Sequence, residues 1–322
     1  MEYSKELIKQ TDFELEVQEG LTDFPKHLSS KYFYDEVGDK LFQDIMKMPT
    51  YYLTSAEYSI LLKHKKEIAE LFSSNGAFDL IELGAGDGKK TKIVLKELGK
   101  QNSQFTYIPI DISINAMQQL TKSLKQEIPK LKIKGFQGTY FEALADISAT
   151  NTNRKIILFL GSNIGNFSHE QAIIFLQKIN ELMRPDDLLL IGFDQKKNPK
   201  TILDAYNDHE GITAAFNKNI LKRINTDLYG DFDLKTFLHW EVYNPETGAA
   251  KSYLVSKIKQ TVNLKKLDLH IHFKAWETIH TEVSQKYDDE MVKWLAKQAG
   301  LKIHSTYTTQ GEEFKNYVFV KE

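Results

Sequence analysis

A short glycine-rich segment carries residues whose types and spacing could bind a nucleotide-like ligand. It reads Glu82-Leu-Gly-Ala-Gly-Asp-Gly88, after an apolar run and before a stretch of helical periodicity. Glycines at such a turn let the backbone bend sharply and approach a ligand closely. The spacing is not the G-x-G-x-x-G of dinucleotide folds, and it does not match a phosphate-binding loop. The acidic Glu82 could approach the ammonium group of a ligand.

A second acidic residue follows the next apolar run. Tyr107-Ile-Pro-Ile110 is closed by Asp111, and a carboxylate at the end of a second strand can accept hydrogen bonds from both ribose hydroxyls. Alternatively, the glycines form only a tight turn and Asp111 caps the next helix. The loop and Asp111 together favour the binding of a nucleotide-type ligand.

Alternating strands and helices are expected to position these residues. Apolar runs of strand length alternate with amphipathic stretches through residues 78–193, and the runs are apolar on both faces. This pattern is typical of a parallel sheet covered by helices on each side. We expect one of these strands to begin at residues 131–133. The fold class predicted is α/β, with a doubly wound sheet.

The alternation ends after Asp194, and the remaining chain predicts a second, smaller α+β domain. We expect a helical region over 199–226, a hairpin over 240–255, and a helix over 288–299 followed by two strands. The last helix and strands could complete the first sheet. The ligand-binding domain would then comprise 56–195 plus 287–322, and the second domain 1–55 plus 196–286.

Composition narrows the class of protein. The net charge of −2 gives no sign of electrostatic capture of nucleic acid or of an anionic membrane. The absence of cysteine excludes disulfides, thiolate zinc sites and cysteine nucleophiles. The polar N-terminus does not read as a signal peptide and no run could span a bilayer, so we expect a cytoplasmic protein. His270 and His272 lack a convincing third ligand, and no metal site is predicted.

Eight segments of the sequence together form a specific pattern. They are Tyr32-Phe-Tyr-Asp35 with Gly38 and Leu41-Phe42; Pro49-Thr-Tyr-Tyr52 with Thr54 and Glu57; Glu82-Leu-Gly84; Phe159-Leu-Gly-Ser-Asn-Ile-Gly-Asn166; Ala205-Tyr-Asn-Asp208; Gly211-Ile-Thr-Ala-Ala-Phe-Asn217; Phe232-Asp-Leu234; and Thr281-Glu-Val-Ser284 with Lys286. With these segments the sequence resembles the L-histidine Nα-methyltransferases of ergothioneine biosynthesis, which trimethylate free histidine to hercynine using S-adenosylmethionine. The resemblance covers nearly the whole chain and implies a Rossmann-like class I methyltransferase domain with a substrate domain.

The resemblance implies where the substrate imidazole binds. Tyr51, Glu282 and Ser284 would hold the ring, and Ser252 takes the place of a methionine that the family commonly has in this pocket. A carboxylate such as Glu282 can bind imidazole by a charge-assisted hydrogen bond. It would therefore select histidine over apolar analogues.

The other end of the substrate is implied in the same way. Asn166 and Tyr206 would bind its carboxylate, and Phe42 would line the pocket. Tyr34 would lie near the α-amine as the catalytic residue, where it could accept a hydrogen bond or relay the proton.

The cofactor implied is S-adenosyl-L-methionine. Where the family has Asp-Phe at the adenine site, this chain has Thr139-Tyr140, as in fungal relatives that include enzymes acting on tryptophan-derived amines. The glycine-rich segment and the resemblance together predict eight cofactor contacts. They are Glu82, Gly84, Ala85, Gly86, Lys90, Asp111, Tyr140 and Gly161.

The function predicted is an S-adenosylmethionine-dependent N-methyltransferase acting on the α-amine of histidine in ergothioneine biosynthesis. We expect a monomer whose partner is a small-molecule amino acid. One alternative keeps the reaction with another amino acid, such as tryptophan or a derivative. Another is a non-catalytic protein that binds a nucleotide-like metabolite.

Overall fold

The computed structural model describes residues 10–111 and 114–322, without the side chains of 114–116. The chain forms two units. The larger contains Tyr52–Lys197 and Gln285–Glu322, and the smaller contains Asn198–Ser284 and Met1–Tyr51, described from residue 10. The boundaries expected from the sequence are 55/56, 195/196 and 286/287, and the assignment of one ligand to each unit remains a prediction.

The helices and strands within the described residues alternate through most of the larger unit. The α-helices are α1 (Asp12–Thr22), α2 (Glu36–Ile45), α3 (Tyr52–Ser73), α4 (Thr91–Lys100), α5 (Ile114–Glu127), α6 (Tyr140–Thr150), α7 (His169–Leu182), α8 (Pro199–Tyr206), α9 (Ile212–Asp227) and α10 (Asp289–Gln298). The strands are β1 (Phe78–Leu83), β2 (Phe105–Asp111), β3 (Phe136–Gln137), β4 (Arg154–Phe159), β5 (Leu188–Asp194), β6 (Phe237–Asn244), β7 (Ala249–Ser256), β8 (Gln260–Leu264), β9 (Leu269–Phe273), β10 (Thr278–Gln285), β11 (Leu301–Thr308) and β12 (Phe314–Lys321).

The larger unit is built on a seven-stranded sheet in the order β11-β12-β5-β4-β1-β2-β3. The strands from β5 to β3 are parallel, whereas β12 is antiparallel to both β5 and β11. This order, with the antiparallel strand β12 between β5 and β11, confirms the predicted doubly wound, Rossmann-like sheet.

Helices cover both faces of this sheet because alternate residues of each central strand point to opposite sides. In β1, Phe78 and Leu80 pack with residues of α3, α4 and α5. Ile81 and Leu83 pack on the other face with residues of α6, α7 and α10. With both faces covered, the carboxyl ends of the parallel strands are the place where such sheets bind ligands.

The smaller unit is an α+β structure with its own apolar core. It contains a three-stranded sheet in the order β10-β7-β6 and a two-stranded sheet of β8 and β9. Helix α9 supplies Phe216, Ile220 and Ile224 to a core shared with Phe33 and with Leu254 of β7. The second, smaller α+β unit predicted from the sequence is therefore present.

Two expected elements differ from the structure. The strand expected at 131–133 is wrong: β3 lies further along, and Ile133 makes only an isolated bridge with Tyr107. The helical region expected over 199–226 is divided into α8 and α9. Gly211 adopts a φ of +75°, and the Asp208 carboxylate accepts hydrogen bonds from the first two backbone N–H groups of α9, at 2.9 and 2.8 Å. An aspartate that satisfies these groups starts a new helix.

The helices in the described part of the chain include none with both the length and the apolar character needed to cross a membrane.

Candidate active site

The glycine loop after β1 is held in a conformation that requires glycine. Gly84, Gly86 and Gly88 have φ angles of +72°, +52° and +64°, in the left-handed region that L side chains rarely adopt. A Cβ at Gly84 would lie 2.8 Å from the Tyr140 hydroxyl, whereas a Cβ at Gly86 would meet nothing within 4 Å. The Gly86 N–H donates to the Asp111 carboxylate at 3.2 Å. The structure thus brings these predicted cofactor residues together at the carboxyl ends of β1 and β2.

Tyr140 forms a half-buried wall beside this loop. Its ring makes edge contacts with Phe159 and Phe175, at centroid distances of 5.9 and 6.4 Å. Burial, aided by the negative charge of Asp111, raises the pKa of Tyr140 to about 12, so its hydroxyl is neutral at physiological pH. The residue before it, Thr139, caps α6, and its hydroxyl donates to Glu142 at 2.6 Å.

Glu82 supports the loop from inside the unit. It is buried, and one carboxylate oxygen accepts a hydrogen bond from the Thr91 hydroxyl at 2.5 Å while the other accepts one from the Tyr107 hydroxyl. Burial raises the pKa of Glu82 to about 7, against the opposing effect of both hydrogen bonds. Glu82 therefore links β1, β2 and the start of α4, and its direct contact with a ligand ammonium stays a prediction.

A buried carboxylate that the sequence analysis left without a role connects two predicted cofactor contacts. Glu57 of α3 is fully buried, and its Oε2 accepts hydrogen bonds from Lys90 Nζ at 2.5 Å and from the Gly161 N–H at 2.7 Å. Its Oε1 accepts one from Asn316 at 2.9 Å. A Cβ at Gly192 would overlap this carboxylate. Glu57 thus fixes Lys90 and the turn after β4 relative to each other.

In the smaller unit, predicted substrate residues from four chain segments form a continuous row. Tyr34 and Phe42 lie 5.5 Å apart between ring centroids, Phe42 and Tyr51 6.3 Å, and Tyr51 and Tyr206 6.2 Å, all in edge contacts. The Tyr206 hydroxyl is 2.7 Å from the hydroxyl of Ser284. We call Tyr34, Phe42, Tyr51 and Tyr206 the aromatic row, and Ser284 closes one end of it.

Tyr206 is held at its backbone as well as at its hydroxyl. His239 of β6 donates from Nε2 to the Tyr206 carbonyl at 3.0 Å, which requires the tautomer with the proton on Nε2. Burial lowers the pKa of His239, although the hydrogen bond opposes this, so the ring is neutral at physiological pH. The sequence analysis did not predict His239, which orients one member of the aromatic row.

Ser252 lies buried on β7 beside a second acidic side chain. Its hydroxyl donates to the buried carboxylate of Glu241, directly across on β6, at 2.7 Å. The Ser252 carbonyl accepts a hydrogen bond from Thr281 of β10 at 3.0 Å. Half-buried Glu282 follows Thr281 on that strand, which neighbours β7. Ser252 and Glu282 are therefore on adjacent strands, and Glu241 adds a carboxylate that the sequence analysis missed.

Asn166 belongs to the larger unit, unlike the other predicted substrate residues. It is exposed at the end of a short 3-10 helix, Asn163–Asn166, that follows β4. Its contact with a substrate carboxylate remains a prediction.

Comparison with known proteins decides the family. Residues 13–321 match the model of a family described as histidine-specific methyltransferase, SAM-dependent. The chain belongs to this family. The match extends through both units, so it covers the glycine loop and the aromatic row together.

Named relatives of this methyltransferase span most of the chain. The histidine N-alpha-methyltransferase of Mycolicibacterium smegmatis is 34% identical over 93% of this chain and 92% of its own length. Ergothioneine biosynthesis protein 1 of Schizosaccharomyces pombe is 30% identical over 92% of this chain, but over only 39% of its own. An L-tryptophan methyltransferase of Psilocybe serbica is 31% identical over 88% of this chain and 86% of its own.

Family membership confirms the predicted enzyme class and cofactor: the protein is a methyltransferase that depends on S-adenosylmethionine. The residues present fit that group. Gly86 leaves open space beside the Asp111 carboxylate, and the Tyr140 hydroxyl closes the other side of the loop at Gly84. An acidic side chain beside an open glycine turn suits a ligand with ribose hydroxyls.

Patterns in the sequence could have revealed two of the missed residues. Glu57 precedes Ile60 and Leu61 by three and four positions, on the apolar face of the helix, where a carboxylate needs buried partners. His239 alternates with Phe237 on the buried side of a strand. A polar residue on an apolar face is a signal of a buried hydrogen bond, although it does not identify the partner.

Proposed function

We propose that this methyltransferase transfers methyl groups from S-adenosylmethionine to the α-amino nitrogen of L-histidine, giving trimethylhistidine (hercynine) in ergothioneine biosynthesis. The observation that carries the proposal is the convergence of the aromatic row on Ser284. Four residues implied for histidine binding or catalysis, separate in sequence, thereby lie side by side. The relative from Mycolicibacterium smegmatis is named a histidine N-alpha-methyltransferase, which supports this substrate, and the fission yeast relative is named an ergothioneine biosynthesis protein, which supports this pathway.

The amine must be aligned and neutral for the reaction. When bound, S-adenosylmethionine would supply a methyl group on a positively charged sulfur. A neutral nitrogen would take this group by in-line displacement, the sulfur would leave with the electron pair of the broken carbon–sulfur bond, and the nitrogen would lose a proton before each further transfer. Orientation of the amine is then the main task of the chain. The ring of Tyr34 makes edge contacts with Phe42 and Phe216, each at 5.5 Å between centroids, while 41% of the residue is exposed. A hydroxyl carried on a fixed ring can accept a hydrogen bond from the α-amine or relay its proton.

Histidine would be recognised at both ends. We place the imidazole at Tyr51, Glu282 and Ser284, where the carboxylate of Glu282 accepts a hydrogen bond from a ring nitrogen. We place the α-carboxylate at Asn166 and Tyr206. A site that hydrogen-bonds a polar substrate group discriminates strongly against analogues that lack it.

The proposal assigns the cofactor to the larger unit and most substrate contacts to the smaller one. The glycine loop, Asp111 and Tyr140 belong to the larger unit, and the aromatic row with Glu282 belongs to the smaller. We also propose that the enzyme acts in the cytoplasm as a monomer, which cell fractionation and size-exclusion chromatography test.

The experiment is a comparison of specificity constants. Purified protein is incubated with S-adenosylmethionine and histidine, or with a panel of other amino acids, and the products are identified by mass. We expect histidine to have the highest kcat/KM and its products to include the trimethylated form. Absence of histidine methylation by protein that binds the cofactor would refute the proposal.

A matched pair of variants tests the recognition of the ring. Glu282→Gln removes the proposed charge-assisted hydrogen bond, so KM for histidine should rise by about 10-fold or more. Glu277→Gln is the control, because Glu277 lies just before β10 and forms an ion pair with Lys26 at 2.5 Å. An equal KM change in both variants would contradict a role for Glu282 in the substrate site.

A second candidate is methylation of another amino acid, such as tryptophan. It is favoured by the polar Ser252–Glu241 pair, where the family commonly has a methionine, and by the similarity to the tryptophan methyltransferase. The same panel decides, since a higher kcat/KM for tryptophan than for histidine would establish this alternative. Cofactor binding without turnover of any amine would instead indicate a non-catalytic metabolite-binding protein.

A further inference from the structure

A second buried ionic cluster in the larger unit has no part in the cofactor site described above. Asp194, the last residue of β5, is fully buried, and its Oδ2 accepts hydrogen bonds from the Tyr52 hydroxyl and from Lys286 Nζ, both at 2.8 Å. Its Oδ1 pairs with the ammonium of Lys197. We call Tyr52, Asp194, Lys197 and Lys286 the Asp194 cluster. It combines two ammonium groups with one carboxylate away from water.

The cluster is fully interlocked rather than a simple ion pair. The Lys197 ammonium also donates to the Tyr52 hydroxyl at 2.9 Å and to the Gln195 carbonyl at 2.6 Å, and it lies 4.3 Å from the centroid of the Tyr52 ring. Burial lowers the pKa of Lys197, the charge of Lys286 lowers it further, and Asp194 opposes both. Each member thus has its position fixed by at least one other member.

The location of the cluster along the chain is its main feature. The chain passes between the two units at 51/52, 197/198 and 284/285. Tyr52 and Lys197 are the first and last residues of one segment of the larger unit, and Lys286 is the second residue of the other. A single carboxylate is therefore bonded to residues at, or next to, all three points where the chain leaves the larger unit.

Buried ionic groups of this kind select one arrangement of the chain more than they add to the stability of the fold. Desolvation of the charges offsets much of their attraction, so a buried ion pair adds little net stability, yet it favours the one arrangement that satisfies every member. The segments that the cluster anchors continue directly into proposed substrate residues. Tyr51 precedes Tyr52, and Ser284 lies two positions before Lys286.

We propose that the Asp194 cluster is a positioning element for the substrate. It fixes the chain at the three points where it leaves the larger unit, and it thereby holds Tyr51 and Ser284 in place for binding of the amino acid. This inference rests on the proposed function. The side chains of the cluster are separate from those that hold the cofactor contacts Lys90 and Gly161, which are bonded to a different carboxylate, Glu57. Asp194 meets the turn after Gly161 only through its backbone N–H, which donates to the Ser162 hydroxyl at 3.0 Å.

The same sheet supplies a matched control. Lys155 and Asp187 form an ion pair at 2.9 Å with both side chains buried, Lys155 at the amino end of β4 and Asp187 just before β5. The pair has the same chemistry as Lys286 with Asp194 but lies at the opposite end of these strands. Lys155 and the predicted cofactor contact Gly161 lie at opposite ends of β4.

The experiment compares Lys286→Met, Tyr52→Phe and the control Lys155→Met. For each, the apparent KM for histidine, the Kd for S-adenosylmethionine by calorimetry and the melting temperature are measured. We expect Lys286→Met to raise KM about 10-fold or more and Tyr52→Phe about 3-fold, with Kd for the cofactor changed less than about 2-fold. Lys155→Met should lower the melting temperature and leave KM unchanged.

The results separate positioning from general stability. If KM and cofactor Kd worsen together in all three variants, in proportion to the fall in melting temperature, the cluster only stabilises the fold and the inference is overturned. Tyr52→Phe keeps the test decisive if Lys286→Met does not fold, since an unchanged KM in Tyr52→Phe also overturns it. Failure of the wild-type chain to methylate histidine would instead refute the proposed function, and the positioning role with it.

Discussion

The two ends of the parallel strands in the larger unit use the same buried polar chemistry for different purposes. At the amino end, Lys155 pairs with Asp187, and the Asp79 carboxylate accepts hydrogen bonds from Asn151 and Asn153 at 2.9 and 3.2 Å. These contacts join the beginnings of neighbouring strands to the loops before them. No predicted ligand residue takes part, so removal of one partner at this end should destabilise the fold, by leaving a buried polar group unpaired, and should not change ligand binding.

At the carboxyl end, three buried carboxylates each connect functional segments. Glu82 holds the base of the glycine loop, Glu57 holds Lys90 and Gly161, and Asp194 holds the segments that leave the unit. Both ends contain buried carboxylates, so a buried charge does not by itself identify an active site. What distinguishes the carboxyl end is that each carboxylate contacts a segment that also carries predicted ligand residues.

The largest expected difference between the two ends concerns their glycines. Gly84→Ala would place a Cβ 2.8 Å from the Tyr140 hydroxyl at a φ of +72°. We expect the affinity for S-adenosylmethionine to fall about 1,000-fold, equivalent to about 4 kcal/mol. Gly76→Ala is the control at the amino end, with a φ of +84° and open space around the added Cβ. It should lower the melting temperature by a few degrees without changing the Kd for S-adenosylmethionine. Equal changes of this Kd in both variants would contradict the difference between the two ends.

The titration of Glu82 is the next largest effect. Because burial raises its pKa from 4.5 to about 7, the folded chain holds this proton more tightly than the unfolded chain. Stability should therefore fall as pH rises from about 4.5 to about 7 and then level off, by on the order of 3 kcal/mol in total. Glu82→Gln cannot titrate and should lack this component. Urea unfolding of both proteins at about pH 5 and about pH 8 measures it, and parallel pH dependences would refute the assignment.

Smaller effects are expected when one buried carboxylate at each end is replaced by its amide. Glu57→Gln weakens the contacts to Lys90 and to the Gly161 N–H, so Kd for the cofactor should rise about 10-fold. Asp79→Asn removes a buried charge at the amino end and should lower the melting temperature with Kd unchanged. Calorimetric titration and thermal unfolding distinguish these outcomes, and cofactor binding that is weakened equally by Asp79→Asn would count against the division of roles.

The smallest effects on cofactor binding and stability are expected from the substitution of one aromatic residue at each end. Tyr140→Phe removes the hydroxyl beside Gly84 while keeping the contacts with Phe159 and Phe175, so Kd should rise about 3-fold. At the amino end, Phe105→Leu disturbs the stacked pair that Phe105 forms with Phe78 at 5.5 Å. That change should affect only the melting temperature, and a larger effect on Kd than in Tyr140→Phe would contradict the comparison.

The sequence predicts the carboxyl end well where the signal is local. The glycine loop and Asp111 follow directly from a strand, a turn and a second strand, and the structure joins them by a hydrogen bond from Gly86. The partners of Glu57 could not be predicted in this way, because Asn316 lies 259 positions away and reaches it only through the fold. The aromatic row was expected from resemblance alone, since no local pattern relates Tyr34 to Tyr206.

The position of β3 shows another limit of local patterns. Residues 131–133 alternate apolar and polar side chains like a strand, yet pairing with β2 is established at Phe136 and Gln137. The short edge strand has few apolar contacts to fix its register, so its position depends on the tertiary structure. The division between α8 and α9 depends on the carboxylate of Asp208, whose role is visible only with the backbone around it.

The most direct test of the account is the position of the methyl group on the product. The protein is incubated with histidine and S-adenosylmethionine labelled with ¹³C in its methyl group, and the product is examined by NMR. We expect a single trimethylammonium resonance coupled to the α-carbon of histidine. Label on an imidazole nitrogen, or on no amino acid at all, would contradict it.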